Sequence, residues 1–505
     1  VMNISLNWSK IFFLILLFFG TSIYGISEPV GDQKITNAVQ KHLVNNSATP
    51  AYLIDVTTID GIVTLSGDIS SLLAKEQAAK IAMAVKGVRG VINQIDVMAP
   101  AMQDHEIETL VKEALVDDPA TEAYKIDANV VNGRVIISGK VNSFQEKQLA
   151  AYVAKGVIGV KDINNNIEVD YTINRPDNQI ENEIRQALNN DIRIDNAMVD
   201  VNVNNGKVNL SGVVGSLAEK YQAETNAWVA GVKEVNSDEL KPKEWARDEN
   251  LRKDKYVNRS DAQIKDAVKD AFLYDPRLLG FDLEVNVDDG EVTLIGTVDN
   301  LKAKNAASTD AKNVVGVFAV KNFLKVRPES IPENPDLEHH ISEFLVRDPY
   351  VDRTNVDIEA EHGIVYLKGE VSTYFDKYHA EDVVSRVPGV VAVENKISVG
   401  EDEDYYYSRY DDWESFQPYP YVDIDEEVQK SDWEIKKDVL SELFWSPYVN
   451  EDEVEVIVTD GKVTLLGTVD TNREKVYAEI NALEGGAQVV ENELEVLFGP
   501  GNPID

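Results

Sequence analysis

A pair of glycines six residues apart recurs six times along this chain and constrains the fold more than any other feature. The first copy reads Asp60-Gly61-Ile-Val-Thr-Leu-Ser-Gly67. The leading glycines of the six copies are Gly61, Gly133, Gly206, Gly290, Gly363 and Gly461. Recurrence of one motif at steps of 72, 73, 84, 73 and 98 residues indicates tandem copies of a small structural unit. Such repetition also favours binding or scaffolding over a single catalytic pocket.

Each leading glycine is predicted to lie in a tight β-hairpin turn, because Asn, Asp and Gly tolerate the positive φ angles that these turns need. In the fourth copy, residues 260–263 form a capping-box pattern and 264–272 carry apolar residues at helical spacing. Alternating apolar residues on both sides of Asp289-Gly290 predict two antiparallel strands. A second helix follows, and Gly316 is predicted to be its left-handed C-terminal cap, before a last strand.

Each unit is therefore predicted to run helix, strand, strand, helix, strand, with two helices on one face of a three-stranded sheet. The fold class is α/β, an α+β sandwich repeated six times. The predicted units are 33–99, 103–171, 177–240, 260–328, 334–399 and 431–499. A charged linker is expected at 241–259 and an acidic, aromatic linker at 400–430. The last strand of the third unit is expected to be irregular, because Leu240 stands one place outside the shared pattern.

The paired glycines, the Asp-Gly-x-Val-x-Leu-x-Gly hairpin and the Gly-Val-x-x-Val-x-Asn ending resemble the BON domain family. The resemblance covers nearly all of residues 33–499 outside the linkers. It implies an exported bacterial envelope protein whose modules hold phospholipid surfaces or other envelope partners. It supplies no catalytic or cofactor-binding residue, and a role in osmotic or envelope stress rests on the resemblance alone.

The N-terminus has the pattern of a secretory signal. Lys10 precedes the apolar run 11–19, and small residues follow at 20–25. The run is shorter than the roughly 20 residues of a membrane-spanning helix. Cleavage near Gly25, with residues 1–25 removed, predicts a periplasmic protein; the alternative is an uncleaved signal that anchors the chain in the inner membrane.

The chain has 49 basic and 88 acidic residues, a net charge of −39. This charge excludes nucleic acid as a partner, because affinity for phosphates comes from lysine and arginine. It also opposes binding to a bare anionic lipid surface, which would need divalent cations, a local basic patch or zwitterionic lipid. The other interpretation is that the acidity keeps a long chain soluble.

Four aromatic residues are candidate surface-binding residues: Trp245, Tyr256, Trp413 and Trp433. Trp245 and Tyr256 lie in the charged linker, where they would suit a membrane interface or a docking helix. Trp413 lies in the acidic linker, which could bind sugars or a basic partner or cover the adjoining units. Trp433 and Trp445 lie on the first helix of unit six, and Trp433 is predicted to form a staple or an inter-unit contact, with membrane contact as the alternative.

Chemistry-bearing motifs are absent from the sequence. There is no cysteine, and the six histidines have no ligand spacing, so no metal site, cofactor or catalytic residue is assigned. The predicted function is non-enzymatic binding or scaffolding in the cell envelope, through repeated weak sites for membrane phospholipid or an envelope protein or glycan. A periplasmic holdase-type chaperone is the alternative, and an enzyme is a remote one. Neither the strand order nor the oligomeric state follows from the sequence.

Overall fold

The computed structural model describes residues 30–497, with gaps at 45, 47, 122–124, 171–174, 196–197, 248–258, 352–354, 400–429, 447–448, 460 and 488. The expected signal segment and nearly all of the acidic linker therefore lie outside the described residues. Six units follow one another, each in the order helix, strand, strand, helix, strand.

The first three units have five elements each. Unit one comprises α1 (Asp32–Val44), β1 (Ile54–Ile59), β2 (Ile62–Ile69), α2 (Leu72–Ala84) and β3 (Gly90–Val97). Unit two comprises α3 (Asp104–Asp117), β4 (Lys125–Val131), β5 (Arg134–Val141), α4 (Phe144–Lys155) and β6 (Asp162–Val169). Unit three comprises α5 (Asp177–Asn190), β7 (Val199–Asn204), β8 (Lys207–Val214), α6 (Leu217–Asn226) and β9 (Glu234–Pro242).

The last three units repeat this order, with breaks in some strands. Unit four comprises α7 (Asp261–Tyr274), β10 (Glu284–Asp288), β11 (Glu291–Ile295), β12 (Thr297–Val298), α8 (Leu301–Lys312), β13 (Ala319–Asn322) and β14 (Lys325–Val326). Unit five comprises α9 (Asn334–Arg347), β15 (Val356–Glu361), β16 (Ile364–Val371), α10 (Tyr374–Ser385) and β17 (Ala392–Val399). Unit six comprises α11 (Asp432–Trp445), β18 (Val454–Thr459), β19 (Lys462–Val469), α12 (Asn472–Glu484), β20 (Val489–Asn492) and β21 (Glu495–Val496).

The second strand of every unit lies in the centre of its sheet, antiparallel to the first strand and parallel to the third. In unit one, Val56 lies opposite Leu65 on the antiparallel side, and Leu65 lies opposite Asn93 on the parallel side. A parallel neighbour requires a crossover connection, which the second helix of each unit provides. The sheet therefore has one open face, on the side away from the helices.

Each unit has its own hydrophobic core between its helices and its sheet. In unit one, Ile35 and Val39 of α1 pack with Val63 and Leu65 of β2, and each is at most 1% exposed. Burial alternates along the first strand, as it must in a sheet with one packed face. These observations confirm the predicted α/β sandwich of two helices on a three-stranded sheet.

The second helix begins at a side-chain cap in every unit. Ser143, Ser216 and Thr471 each accept a hydrogen bond from the backbone N–H three residues later, as the sequence predicts. The glycine cap predicted at the other end of this helix occurs in unit six, where Gly486 has a φ of +101° and the N–H groups of Gly486 and Ala487 donate to the carbonyl oxygens of Leu483 and Ala482. In unit four the prediction is wrong. Helix α8 ends at Lys312, and Gly316 lies beyond it with a φ of +91°. Gly316 instead packs on the first helix, where an added Cβ would lie 3.0 Å from Cδ1 of Ile264.

The last strand of unit three contains the irregularity that Leu240 predicts. The pairing of β8 with β9 shifts between Asn209 and Ser211, because β9 has one additional residue there. The shift returns Leu240 to a fully buried position opposite Gly212. Strand β9 also continues to Pro242, so the first residues of the expected charged linker belong to this sheet.

Neighbouring units contact each other through their helices. Lys155 of α4 forms an ion pair with Glu76 of α2 at 2.7 Å, which joins units one and two. Helix α2 also contacts α6 of unit three, and Lys302 of α8 pairs with Asp382 of α10 at 2.8 Å between units four and five. Among the described helices, none combines the length and the apolar character that a bilayer span requires.

Candidate binding surfaces and the cleft between units

The six leading glycines lie in the turns between the first two strands of their units. All six have φ angles between +72° and +85°. An added Cβ at Gly290 would lie 2.7 Å from the carbonyl oxygen of Gly316. Gly290 therefore approaches the backbone of Gly316 too closely for any side chain to fit at that position. The leading glycines therefore have a structural role, because the atoms around them belong to the backbone and to packed side chains.

The first residue of the first helix fixes each of these turns. Asp104 Oδ2 accepts a hydrogen bond from the N–H of Asn132 at 2.8 Å, and its Oδ1 accepts one from the N–H of Gly133 at 2.9 Å. These two backbone bonds lower the pKa of Asp104 below its ordinary value. The equivalent residues in the other units are Asp32, Asp177, Asp261, Asn334 and Asp432. This contact is not among the predictions from the sequence, although an Asp or Asn stands 29 residues before every leading glycine.

A second set of aspartates follows the first helix in units two to five. These residues are Asp118, Asp191, Asp275 and Asp348, and each accepts a hydrogen bond from the backbone N–H two residues later. Burial acts to raise the pKa of Asp191, but the charge and hydrogen bonds of Arg193 outweigh it and lower that pKa to about 2. In unit five, a histidine takes the place of this arginine as the partner of the aspartate. His379 Nε2 lies 2.9 Å from Asp348 Oδ2.

Two of the four candidate surface aromatics can be located. Trp245 follows β9 and is 53% exposed, and Trp433 on α11 is 70% exposed, with Lys437 Nζ 5.7 Å from its ring centroid. Tyr256 and Trp413 lie outside the described residues. The staple or inter-unit contact of Trp433 stays a prediction, whereas Trp445, at the other end of α11, packs against the core of unit one.

A cleft of about 1000 Å³ lies between units one to four. Its walls are α2, α4, both helices of unit three and both helices of unit four. No single unit forms this cleft, because each contributes only one or two helix faces. Its lining combines twelve charged side chains with nine amide and five aromatic side chains.

The aromatic part of the lining includes a stacked pair that crosses from unit two to unit three. The rings of Phe144 and Trp228 lie 3.9 Å apart at an interplanar angle of 7°, and Gln145 Nε2 donates to the Trp228 carbonyl oxygen at 2.8 Å. Tyr221, which also lines the cleft, is 45% exposed. Burial, followed by the charges of Glu76 and Glu224, raises the pKa of Tyr221, so its hydroxyl is neutral at ordinary pH.

The sequence analysis did not identify this cleft. The signal that could have drawn attention to it is the composition of α5, where Gln179, Asn182 and Gln186 follow one another at helical spacing. Solvated helix faces of an acidic protein usually carry charges at such positions. Which units would bring their helices together could not be derived from the repeat pattern.

The BON domain family matches residues 31–99, 103–171, 176–242, 260–328, 334–401 and 431–497, which together make up most of the chain. The chain is 28% identical over 155 residues to osmotically-inducible protein Y of Escherichia coli strain K12, an alignment of 29% of this chain and 77% of that protein. It is 35% identical over 108 residues to outer membrane lipoprotein DolP of Haemophilus influenzae, covering 21% of this chain and 55% of that one.

Among solved structures, the chain is similar to CdsD, a structural protein of the type III secretion system of Chlamydia trachomatis. The identity is 15%, the alignment covers 41% of this chain and 91% of that one, and the TM-score of 0.12 is too low to establish a shared architecture. The family match repeats six times, in step with the six units described above. The chain belongs to the BON domain family.

Proposed function

We propose that this chain is an exported, non-enzymatic protein of the bacterial cell envelope that binds envelope partners, membrane phospholipid among them, through repeated weak sites. Membership in the BON domain family supports this proposal, as do relatives named for osmotic induction and for the outer membrane. The observation that carries it is structural. The units join through their helices, so the open sheet faces remain available on one covalent chain.

Several open faces expose polar side chains in fixed positions. Cross-strand ion pairs hold Arg134 to Asp162 at 2.8 Å in unit two and Lys368 to Glu359 at 2.6 Å in unit five. A face of this kind binds a partner weakly, because exposed ion pairs contribute little. Linked weak faces still bind a large surface tightly, since each bound unit raises the effective concentration of the next.

Vesicle co-sedimentation tests the lipid part of the proposal. Because the net charge is −39, we expect the protein to sediment with phosphatidylglycerol vesicles only when Mg²⁺ or Ca²⁺ is present, and with phosphatidylcholine vesicles in either condition. We also propose Trp245 and Trp433 as contacts, so quenching by brominated lipid should reach them. Failure to sediment with every composition, together with failure to retain any envelope component in a cross-linking experiment, would refute the proposal.

A holdase-type chaperone is the second candidate, because three isoleucines lie exposed on the open face of unit one. Ile59 and Ile62 are cross-strand neighbours, and with Ile92 they are 72%, 42% and 47% exposed. Such a patch would hold an unfolded client. We expect Ile59→Asp with Ile92→Asp to abolish suppression of client aggregation, whereas Val116→Asp, at a 63% exposed helix position, should not. A chain that never suppresses aggregation is not a holdase.

Export is proposed from residues 1–25. N-terminal sequencing of protein from the periplasmic fraction should give a mature chain that begins after Gly25. Recovery of the intact N-terminus in inner-membrane fractions would instead support the uncleaved anchor. A role in osmotic stress predicts that the protein accumulates when the osmolarity of the medium rises, which quantitative immunoblotting measures.

A further inference from the structure

The cleft between units one to four is a large, half-open feature of the described chain that the proposed function leaves unused. Its volume of about 1000 Å³ lies at the upper end of the range for small-molecule sites. It exists only when the units are assembled. The arrangement of units thus creates a site that a single BON unit does not contain.

The aromatic rings supply flat apolar surfaces in this cleft. Phe144 and Trp228 are held parallel by stacking, and Tyr221, Tyr152 and Tyr274 add three further rings from units three, two and four. Rigid aromatic rings give contact area at a low cost in conformational entropy. They suit a ligand with flat apolar patches between polar groups.

Amide side chains supply the polar part of the lining. Gln186 Nε2 donates to Asp270 Oδ2 at 3.0 Å, which leaves its carbonyl oxygen as an acceptor. Asn190 Oδ1 accepts from Arg259 at 2.6 Å, which leaves its NH₂ group as a donor. Among the described residues, no side-chain hydrogen bond engages Gln148, Gln179 or Asn182, and all are exposed. Amides both donate and accept, as hydroxyl groups do.

Four cations of the lining are paired with carboxylates that also line the cleft. Lys155 pairs with Glu76 at 2.7 Å, Arg193 with Asp191 at 2.8 Å, and Arg277 with Asp275 at 2.6 Å. Arg175 is likewise paired with Glu183. An anionic ligand would have to displace these carboxylates and overcome the charge of the whole chain. A neutral ligand meets neither penalty.

We propose that this cleft binds a neutral oligosaccharide segment, with sugar rings on the aromatic faces and sugar hydroxyls on the amides. The inference rests on the proposed function, because it names a glycan as one partner of the envelope-binding protein. It assigns that partner to helix faces between units, not to the open sheets.

Isothermal titration calorimetry of the full chain with N-acetylated chitotetraose and with maltohexaose tests the proposal. We expect saturable binding of at least one of them, accompanied by a change in the fluorescence of Trp228. The Trp228→Phe variant should lose the fluorescence change and keep the calorimetric signal. Tyr221→Ala combined with Gln148→Ala should weaken binding by about tenfold, whereas Tyr52→Ala, at an 88% exposed site in unit one away from the cleft, should not.

Several results would overturn the inference. These are no heat with either oligosaccharide, and equal affinity in the Tyr221→Ala/Gln148→Ala variant and in the Tyr52→Ala control. Tighter binding of a peptide of residues 401–421 than of either sugar would show that the cleft is a protein-binding site. Vesicle binding that persists in the cleft variants would leave the proposed function intact while the saccharide inference fails.

Discussion

In units two, three and four, single aspartates hold the unit together at two places. The first locks the hairpin turn to the first helix, and the second closes the loop after that helix. Neither contact is predicted from the sequence, although the aspartates themselves can be read from it. Asp at a helix start and Gly in a turn each have a sufficient local explanation. Only the structure shows that the Asp104 carboxylate accepts a hydrogen bond from the N–H of Gly133.

Replacing Asp104 with Ala should loosen the hairpin turn of unit two, because the N–H groups of Asn132 and Gly133 lose their acceptor. We expect both amides to exchange with solvent about tenfold faster, as hydrogen-exchange NMR or mass spectrometry would show. The exposed Asp127→Ala on the open face of the same unit is the control. Asp104→Asn should retain part of the protection, since unit five uses Asn334 there. Unchanged exchange in Asp104→Ala would show that the contact is dispensable.

Acid should release the same turn. Because its backbone hydrogen bonds lower the pKa of Asp104, its contribution is complete above the ordinary aspartate pKa and is lost as the pH falls through the lowered value. The amide chemical shifts of Asn132 and Gly133 should follow this titration. Shifts that titrate at the ordinary aspartate pKa would contradict the assignment.

Arg193→Ala should destabilise unit three by about 3 kcal/mol at neutral pH, because it leaves the buried Asp191 carboxylate without its cation. In the wild type, Asp191 stabilises the fold above a pH near 4 and ceases to do so as the pH falls through about 2. In the variant, burial raises the pKa of Asp191, so lowering the pH should recover stability. Thermal unfolding at neutral and mildly acidic pH measures this, with the exposed Lys112→Ala as control. A variant whose loss is the same at both pH values would contradict this account.

Strand and helix order within a unit could be predicted almost completely, because apolar periodicity, caps and turn glycines agree with one another. The predictions that fail concern residues where one helix or strand contacts another. Gly316 was assigned to a helix end because a left-handed glycine is common there, whereas its role is to let the chain pass close to Ile264. The irregular strand of unit three was foreseen, but not which residue is additional.

The register leaves Ser237 and Asp238 opposite the single residue Leu210 of β8, and because Ser237 is buried and Asp238 exposed, we infer that Asp238 is the additional residue. Removing it would place Ser237, Glu239 and Leu240 opposite three consecutive residues of β8. We therefore expect deletion of Asp238 to leave the melting temperature nearly unchanged. Deletion of Gln94 in unit one is the matched control; it should cost at least about 3 kcal/mol, since Ile95 would leave the core and a carboxylate would replace it. Equal effects of the two deletions, measured by thermal unfolding, would refute this reading of the bulge.

The arrangement of units was beyond the sequence analysis, because any polar helix face is compatible with solvent as well as with another unit. Unit one contacts units two, three and six. Its pairing with unit six joins opposite ends of the repeat array. Lys86 Nζ lies 2.9 Å from Glu451 Oε1 and 3.9 Å from the ring centroid of Phe444. Lys41 also pairs with Glu442, whose side chain is only 2% exposed.

Trp445→Ala combined with Lys86→Ala should separate units one and six, because the two substitutions remove the apolar contact, the Lys86–Glu451 ion pair and the cation–π contact, and of the contacts named above leave only the Lys41–Glu442 pair. We expect small-angle scattering to show a larger radius of gyration while circular dichroism stays unchanged, since the core of each unit remains complete. Trp433→Ala with Lys112→Ala removes an exposed tryptophan and an exposed lysine elsewhere and should leave the scattering profile as it is. If both double variants scatter like the wild type, the end-to-end contact does not hold the units together. If only the first expands and its saccharide affinity is retained, the cleft is held by units one to four without unit six.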